Sequence, residues 1–135
     1  MSITVILPEN SCSAVLRRQL EAALEDIPHT FTGDVEDLPS GRLLFAVALD
    51  SCGCNKGYYR ILGRLRGNGR LLEGCTAALV VTGQGELYTK SIARTLALSA
   101  NMAGCAFIGR PLVEATGSLQ NFRTRAGLAG LDEGR

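Results

Sequence analysis

Ala77-Ala78-Leu79-Val80-Val81-Thr82-Gly83-Gln84-Gly85-Glu86 decides the fold: an apolar run ends in a tight glycine turn, and a helical pattern follows from about Tyr88 to Ala103. Five consecutive apolar residues fit a strand covered on both faces. The spacing of Ile92, Ala93, Leu96, Ala100 and Ala103 gives one buried helix face. A strand feeding a helix through glycines is the corner at which open α/β sheets hold their ligands. The glycines remove Cβ atoms that would keep a ligand off the backbone, and the helix start leaves N–H groups without intrahelical partners. Such a turn is needed even when nothing binds, so it locates a site without naming the occupant. Glu86 fits the first helical turn, where the macrodipole favours a carboxylate, better than it fits a general base.

Working back from this corner, Leu43-Leu44-Phe45-Ala46-Val47-Ala48-Leu49 is a second buried run and predicts the middle strand of the sheet. Asp50-Ser51-Cys52-Gly53-Cys54-Asn55 leads from it into a helix with Tyr58, Ile61, Leu62 and Leu65 on one side, terminated at Gly67-Asn68-Gly69. Tyr58 is expected in the core and Tyr59 partly exposed. Nearer the N-terminus, Ile3–Leu7 is a short β-branched strand. Pro8-Glu9-Asn10-Ser11-Cys12-Ser13, without glycine, joins it to a helix capped by Ser11 or Ser13, with Leu16, Leu20, Ala23, Leu24 and Ile27 inside and Pro28 as its stop. His29–Thr32 is a weaker strand. The acidic stretch Gly33–Asp37 and the turn Pro39-Ser40-Gly41 follow, so a helix between the second and third strands is missing or collapsed into residues 33–40. Past the third helix, Gly104 sits at a C′ position and Cys105-Ala106-Phe107-Ile108 opens a last strand, continued through Pro111–Ala115. Ser118 caps a closing helix with Leu119 and Phe122 inside, and the tail frays from about residue 127. The alternation predicts one α/β domain over residues 1–135, a three-layer, doubly wound parallel sheet.

Length and composition agree with this. At 135 residues, 46% apolar and 20% charged, the chain suits one core. Fourteen basic and thirteen acidic residues give a net charge of +1, with the basic ones dispersed, so neither nucleic acid nor an anionic membrane is indicated as a partner. No stretch approaches the roughly 20 apolar residues of a membrane span, and Met1-Ser2-Ile3-Thr4 lacks the pattern of a secretory leader. A cytoplasmic protein is expected. Five scattered cysteines fit reduced thiols better than a disulfide framework.

Cys52-Gly53-Cys54 is the most reactive-looking element, since thiols near a helix start ionise readily, but its one-residue spacing is not that of zinc motifs, and no metal site is assigned. Placed on the sheet, Cys12, Cys52 and Cys54 fall at the carboxyl edge. Cys75 and Cys105 fall at the amino edge, roughly 16 Å away. A redox or soft-metal cluster could therefore include only the first three; the other two are expected to be buried small hydrophobes. Cys12 and Arg18 also show Cys-x5-Arg spacing after the first strand, where low-molecular-weight tyrosine phosphatases carry their nucleophile; that chemistry needs a loop whose N–H groups cradle the phosphate. His29, the sole histidine, lies far from this edge, which removes Ser-His and Cys-His catalysis.

On these features the chain resembles the flavodoxin-like superfamily, and within it the NADPH-dependent FMN reductases and flavodoxin-type oxidoreductases. The resemblance rests on Leu43–Leu49 running into Asp50-Ser51-Cys52-Gly53-Cys54, on Ala77–Gly85 followed by Leu87-Tyr88-Thr89, and on Gly104-Cys105-Ala106-Phe107-Ile108-Gly109, and it covers about residues 3–125. It implies strand order 2-1-3-4-5, with FMN at the carboxyl ends of strands one, three and four. Carried over, the phosphate loop falls on Asn10, Ser11, Cys12 and Ser13. The ring-binding loops fall on Ser51, Cys52, Gly53, Cys54 and Asn55 and on Thr82, Gly83, Gln84 and Gly85, with Tyr88 placed to stack on the isoalloxazine.

The function this implies is non-covalent FMN binding, with hydride or electron transfer to or from NAD(P)H or a protein partner, the cofactor carrying the chemistry. Flavodoxins that shuttle single electrons are typically strongly acidic, so a charge of +1 favours a reductase-like or regulatory role. A second expectation is a flavodoxin-fold binding or assembly module without cofactor, as a homodimer. A third is the phosphatase-like enzyme built on Cys12 and Arg18.

Overall fold

The apolar runs become strands of one parallel sheet. In the computed structural model of the chain, which describes residues 3–10, 13–25, 27–33, 42–49, 55–67, 72–83, 86–107 and 112–114, the strands are β1 (Ile3–Ile6), β2 (His29–Thr32), β3 (Arg42–Ala48), β4 (Thr76–Thr82), β5 (Ala106–Phe107) and β6 (Leu112–Glu114). The helices are α1 (Ser13–Ala23), α2 (Lys56–Gly67) and α3 (Glu86–Met102). The strand order is β2-β1-β3-β4-β5, as the resemblance implies, and every pairing is parallel. β3 and β4 stay in register for their whole length, from Arg42 opposite Thr76 to Ala48 opposite Thr82.

The last strand of the sequence reading is found in two pieces along β4. β5 pairs with Thr76 and Ala77 and β6 with Val80 to Thr82. Residues 108–111 fall outside the described residues, as do the expected closing helix at Ser118 and the tail. α1 ends at Ala23, earlier than Pro28 suggested, but Leu24 remains buried and Ile27 packs against the same core.

Side-chain alternation along the strands builds the two outer layers. The odd-numbered residues of β3 and β4, including Leu43, Phe45, Val47, Leu79 and Val81, meet Tyr58, Ile61 and Leu65 of α2 and Ile92, Leu96 and Ala100 of α3. The even-numbered Leu44, Ala46, Ala48, Ala78 and Val80 share the other face with Ile3, Val5 and Leu7, and with Leu16, Leu20 and Leu24 on the α1 side. At the sheet edge, Phe31 joins this second face beneath the Arg17 guanidinium, 4.6 Å from its ring centroid.

α3 ends in a Schellman motif. Cys105 N–H donates to Ala100 O and Gly104 N–H to Asn101 O, both at 3.0 Å, with Gly104 at φ +102°. Nine residues, 33–41, connect β2 to β3; of these 34–41, where a missing or collapsed helix is expected, lie outside the described residues. On the face shared with Leu43 and Phe45, β1 and β2 present Thr4, Thr30 and Thr32, none of them fully buried, and Ile6, which is fully buried in the α2 and α3 core. Among the described residues no helix is long and apolar enough to cross a membrane.

Candidate functional site

Parallel pairing brings the carboxyl ends of β1, β3 and β4 to one edge, and hydrogen bonds there tie the strand ends together. Asn55 stands one residue before α2 and caps it: its Oδ1 accepts from Tyr58 N–H at 3.1 Å, satisfying one of the helix's orphan donors. Its Nδ2 donates to Ala48 O at 2.9 Å and to Pro8 O at 3.3 Å, tying the ends of β3 and β1 to the helix start. Asn10 Nδ2 donates to the same Ala48 O at 2.6 Å. Leu49 N–H donates to Thr82 O at 2.8 Å, which fixes the end of β3 against the end of β4. The first and second corners therefore meet at one carbonyl, and the third is attached one residue further on.

Gly57 completes the frame. A Cβ at that position would lie 2.5 Å from Pro8 Cβ, so only glycine lets the first turn of α2 come down onto the chain leaving β1. Asn55 is 1% exposed and both its amide protons are used, so its side chain holds the corners rather than facing a ligand. One turn on, the buried Tyr58 hydroxyl donates to Ile92 O at 3.4 Å, and burial, then the neighbouring Tyr59, pushes it up to about 12. Tyr59 itself is exposed, as expected.

The first corner is closed on itself. Asn10 N–H donates to Ser13 Oγ at 3.0 Å, and Ser13 Oγ–H returns to Asn10 O at 3.0 Å; Ser13 N–H donates to the same carbonyl at 3.4 Å. Glu9 is exposed beside this turn, with a cleft on each side. One, about 350 Å³, is lined by Asn10, Ser13, Arg17 and Phe31. The other, about 460 Å³, is lined by Pro8, Lys56, Gly57 and Arg60. Both reach Thr32 and Gly33.

Of the residues the sequence singled out, Asn10, Ser13, Asn55, Thr82 and Gly83 are placed at this edge, with Gly83 buried and Thr82 half-buried. Tyr88 lies in the first turn of α3. Ser11, Cys12, Ser51, Cys52, Gly53, Cys54, Gln84 and Gly85 lie outside the described residues. α1 begins at Ser13, so a helix and not an anion-wrapping loop precedes Arg18, which is exposed on it. His29 opens β2 at the amino edge, its Nδ1–H donating to Ile27 O at 2.7 Å. Sequence reasoning missed the cap and clamp roles of Asn55, although an asparagine just before an apolar helical pattern is the usual N-cap signal. It also missed the contact at Gly57, for which nearby sequence holds no signal.

Against an FMN-type ligand these residues fit unequally. The carboxyl ends of β1, β3 and β4, with Gly83 following β4, stand at the edge where such a ligand would lie. At the expected phosphate loop, Asn10 N–H, the Asn10 side-chain amide and the Ser13 hydroxyl bond within the chain beside the exposed Glu9, while Ser11 and Cys12 lie outside the described residues.

No family model matches the sequence, and comparison with curated proteins finds no relative. Solved structures do match in fold. A short-chain flavodoxin associated with a non-canonical PDU bacterial microcompartment superposes with a TM-score of 0.65 at 12% identity, covering 99% of this chain and 98% of its own. The flavodoxin of Streptococcus pneumoniae TIGR4 gives 0.65 at 13% identity, with coverage of 96% and 99%. Oxidised flavodoxin 2 from Bacillus cereus gives 0.65 at 13%, over 100% of both chains. At such identity the likeness is one of fold: this chain has the flavodoxin-like α/β fold.

Proposed function

We propose that this chain holds a flavin at the carboxyl edge of its sheet and takes part in hydride or electron transfer. The observation that carries this reading is the convergence of Asn10 and Asn55 on Ala48 O, with Thr82 locked to Leu49 beside it. This is the switch-point edge at which doubly wound folds bind ligands. The likeness to flavodoxins over their full length supports the same choice of ligand. A bound flavin would supply the redox chemistry. The chain's own contribution is to hold the ends of β1, β3 and β4 together, exclude water with the buried Asn55 clamp, and present backbone around Gly83 and the first turn of α3.

The test is a fluorescence titration of the purified protein with FMN, together with the visible spectrum of the protein as isolated. Saturable quenching at micromolar FMN is the expected result; no quenching at any concentration overturns the reading. NADPH oxidation by the loaded protein then separates a reductase, which turns over, from an electron carrier, which does not.

A second reading, a cofactor-free assembly module acting as a homodimer, is favoured by one observation: the closed Asn10–Ser13 turn beside Glu9. Its support would be a colourless protein that ignores FMN and runs as a dimer in light scattering.

A further inference from the structure

Two thiols that the flavin reading leaves unused lie at the opposite, amino edge of the sheet. Cys75 and Cys105 immediately precede β4 and β5. The pairing of Thr76 with Ala106 sets them side by side, and Ala106 N–H donates to Cys75 O at 3.0 Å. Both belong to the core cluster on the α2 and α3 face, and both are free thiols. Adjacent strands run about 4.8 Å apart, inside the roughly 4.4–6.8 Å between Cα atoms that a disulfide spans. The two groups also sense each other, since burial first and Cys75 second push the Cys105 thiol up to about 12.

We propose that Cys75 and Cys105 form a dithiol–disulfide couple oxidised by a low-molecular-weight disulfide. Cys75, 5% exposed against 1% for Cys105, is the nearer to solvent and reacts first. Its thiolate attacks one sulfur of the oxidant, whose S–S bond breaks and releases one thiolate. The Cys105 thiolate then attacks Cys75 Sγ and expels the second. The protein loses two electrons and two protons, and the oxidant gains both as two thiols.

The fold sets the rate of this reaction. Both thiols are buried, so exchange waits for the turn at residues 72–75 to part from the cap of α3, to which it is held by Leu72 N–H donating to Ala103 O at 2.9 Å. The same parting of the turn that admits the oxidant admits a reducing thiol, so the couple is a reversible switch rather than a permanent staple. It rests on the strand register alone and is independent of the flavin reading.

The experiment uses the full chain carrying Cys12→Ser, Cys52→Ser and Cys54→Ser, incubated under native conditions with oxidised glutathione, and in parallel with iodoacetamide. The expected result is loss of two hydrogens by intact mass, a peptide pair joining Cys75 to Cys105, and reversal by dithiothreitol. Adding Cys105→Ser should trap a stable glutathione adduct on Cys75. Alkylation of both thiols without disulfide formation, stable glutathione adducts on both, or inertness to both reagents would each overturn the proposal. Should the triple variant not fold, a non-reducing peptide map of the oxidised natural sequence decides: a Cys75–Cys105 link supports the couple, and links from either to Cys12, Cys52 or Cys54 refute it.

Discussion

A single asparagine does three jobs at the carboxyl edge, so its replacements separate them. Asn55→Ala loses the cap of α2, worth about 1 kcal/mol, and leaves Pro8 O without that donor, a further 1–3 kcal/mol or so. A loss of about 2 kcal/mol or more is expected, read as a lower urea midpoint at unchanged slope. Asn55→Asp keeps an acceptor for Tyr58 N–H but sets a carboxylate against two carbonyls, which raises its pKa. Its stability relative to the natural protein should then rise as pH falls from about 7 to about 4, the reverse of a paired surface aspartate. At the alkaline end, Tyr58 and Cys105 start from ordinary values of 10.0 and 9.0 and are both pushed up to about 12, chiefly by burial. Below about pH 9 neither group distinguishes the folded from the unfolded chain. Above it the unfolded chain gives up protons first, so stability falls as pH climbs toward about 12. Urea midpoints measured from about pH 8 upward should show that fall, and Tyr58→Phe and Cys105→Ala should each flatten it.

The elements were legible where their signal is periodic and local. The buried runs of β3 and β4, the single apolar faces of α1, α2 and α3, and the C′ glycine at Gly104 could all be read directly, because each depends on spacing within one segment. The early end of α1 and the seat of α2 on Pro8 could not, because each is settled by contacts between distant segments. Two glycines of α2 make that difference measurable. Gly63 has nothing within 4 Å of an added Cβ, whereas at Gly57 the Cβ would meet Pro8 Cβ at 2.5 Å. By propensity alone, alanine at either position should stabilise the helix by up to about 1 kcal/mol. Gly63→Ala should show that gain in thermal melts. Gly57→Ala should instead lower Tm, since the helix start must back away from β1 and strain the Asn55 bonds to Pro8 and Ala48. Equal gains from both would mean that α2 is not seated on the first corner.

At the scale of the molecule, the doubly wound sheet explains why the candidate site was only half legible. Alternation in the sequence dictates two buried faces, parallel pairing dictates that the carboxyl ends of β1, β3 and β4 share one edge, and together they place the crevice without specifying its chemistry. The chemistry depends on how each corner spends its donors. In the sequence, Asn10 and Ser13 looked like donors for a phosphate; in the fold Asn10 N–H and the Ser13 hydroxyl and N–H bond within the turn, and the Asn10 side chain holds Ala48 O. A phosphate dianion taking the Asn10 and Ser13 donors would have to break those bonds beside the Glu9 carboxylate, whereas an isoalloxazine ring bound at the ends of β3 and β4 would not. If the flavin reading holds, FMN and riboflavin should therefore bind with affinities within about tenfold of each other, a difference under about 1.4 kcal/mol. Glu9→Gln removes the repulsion but not the closed turn, so it should strengthen FMN binding modestly, leave riboflavin unchanged, and reduce the salt sensitivity of the FMN complex. Parallel quenching titrations with both ligands test this. FMN binding more than about a hundredfold tighter than riboflavin would mean that the Asn10–Ser13 turn opens to embrace the phosphate, and that its closed form belongs to the ligand-free chain alone.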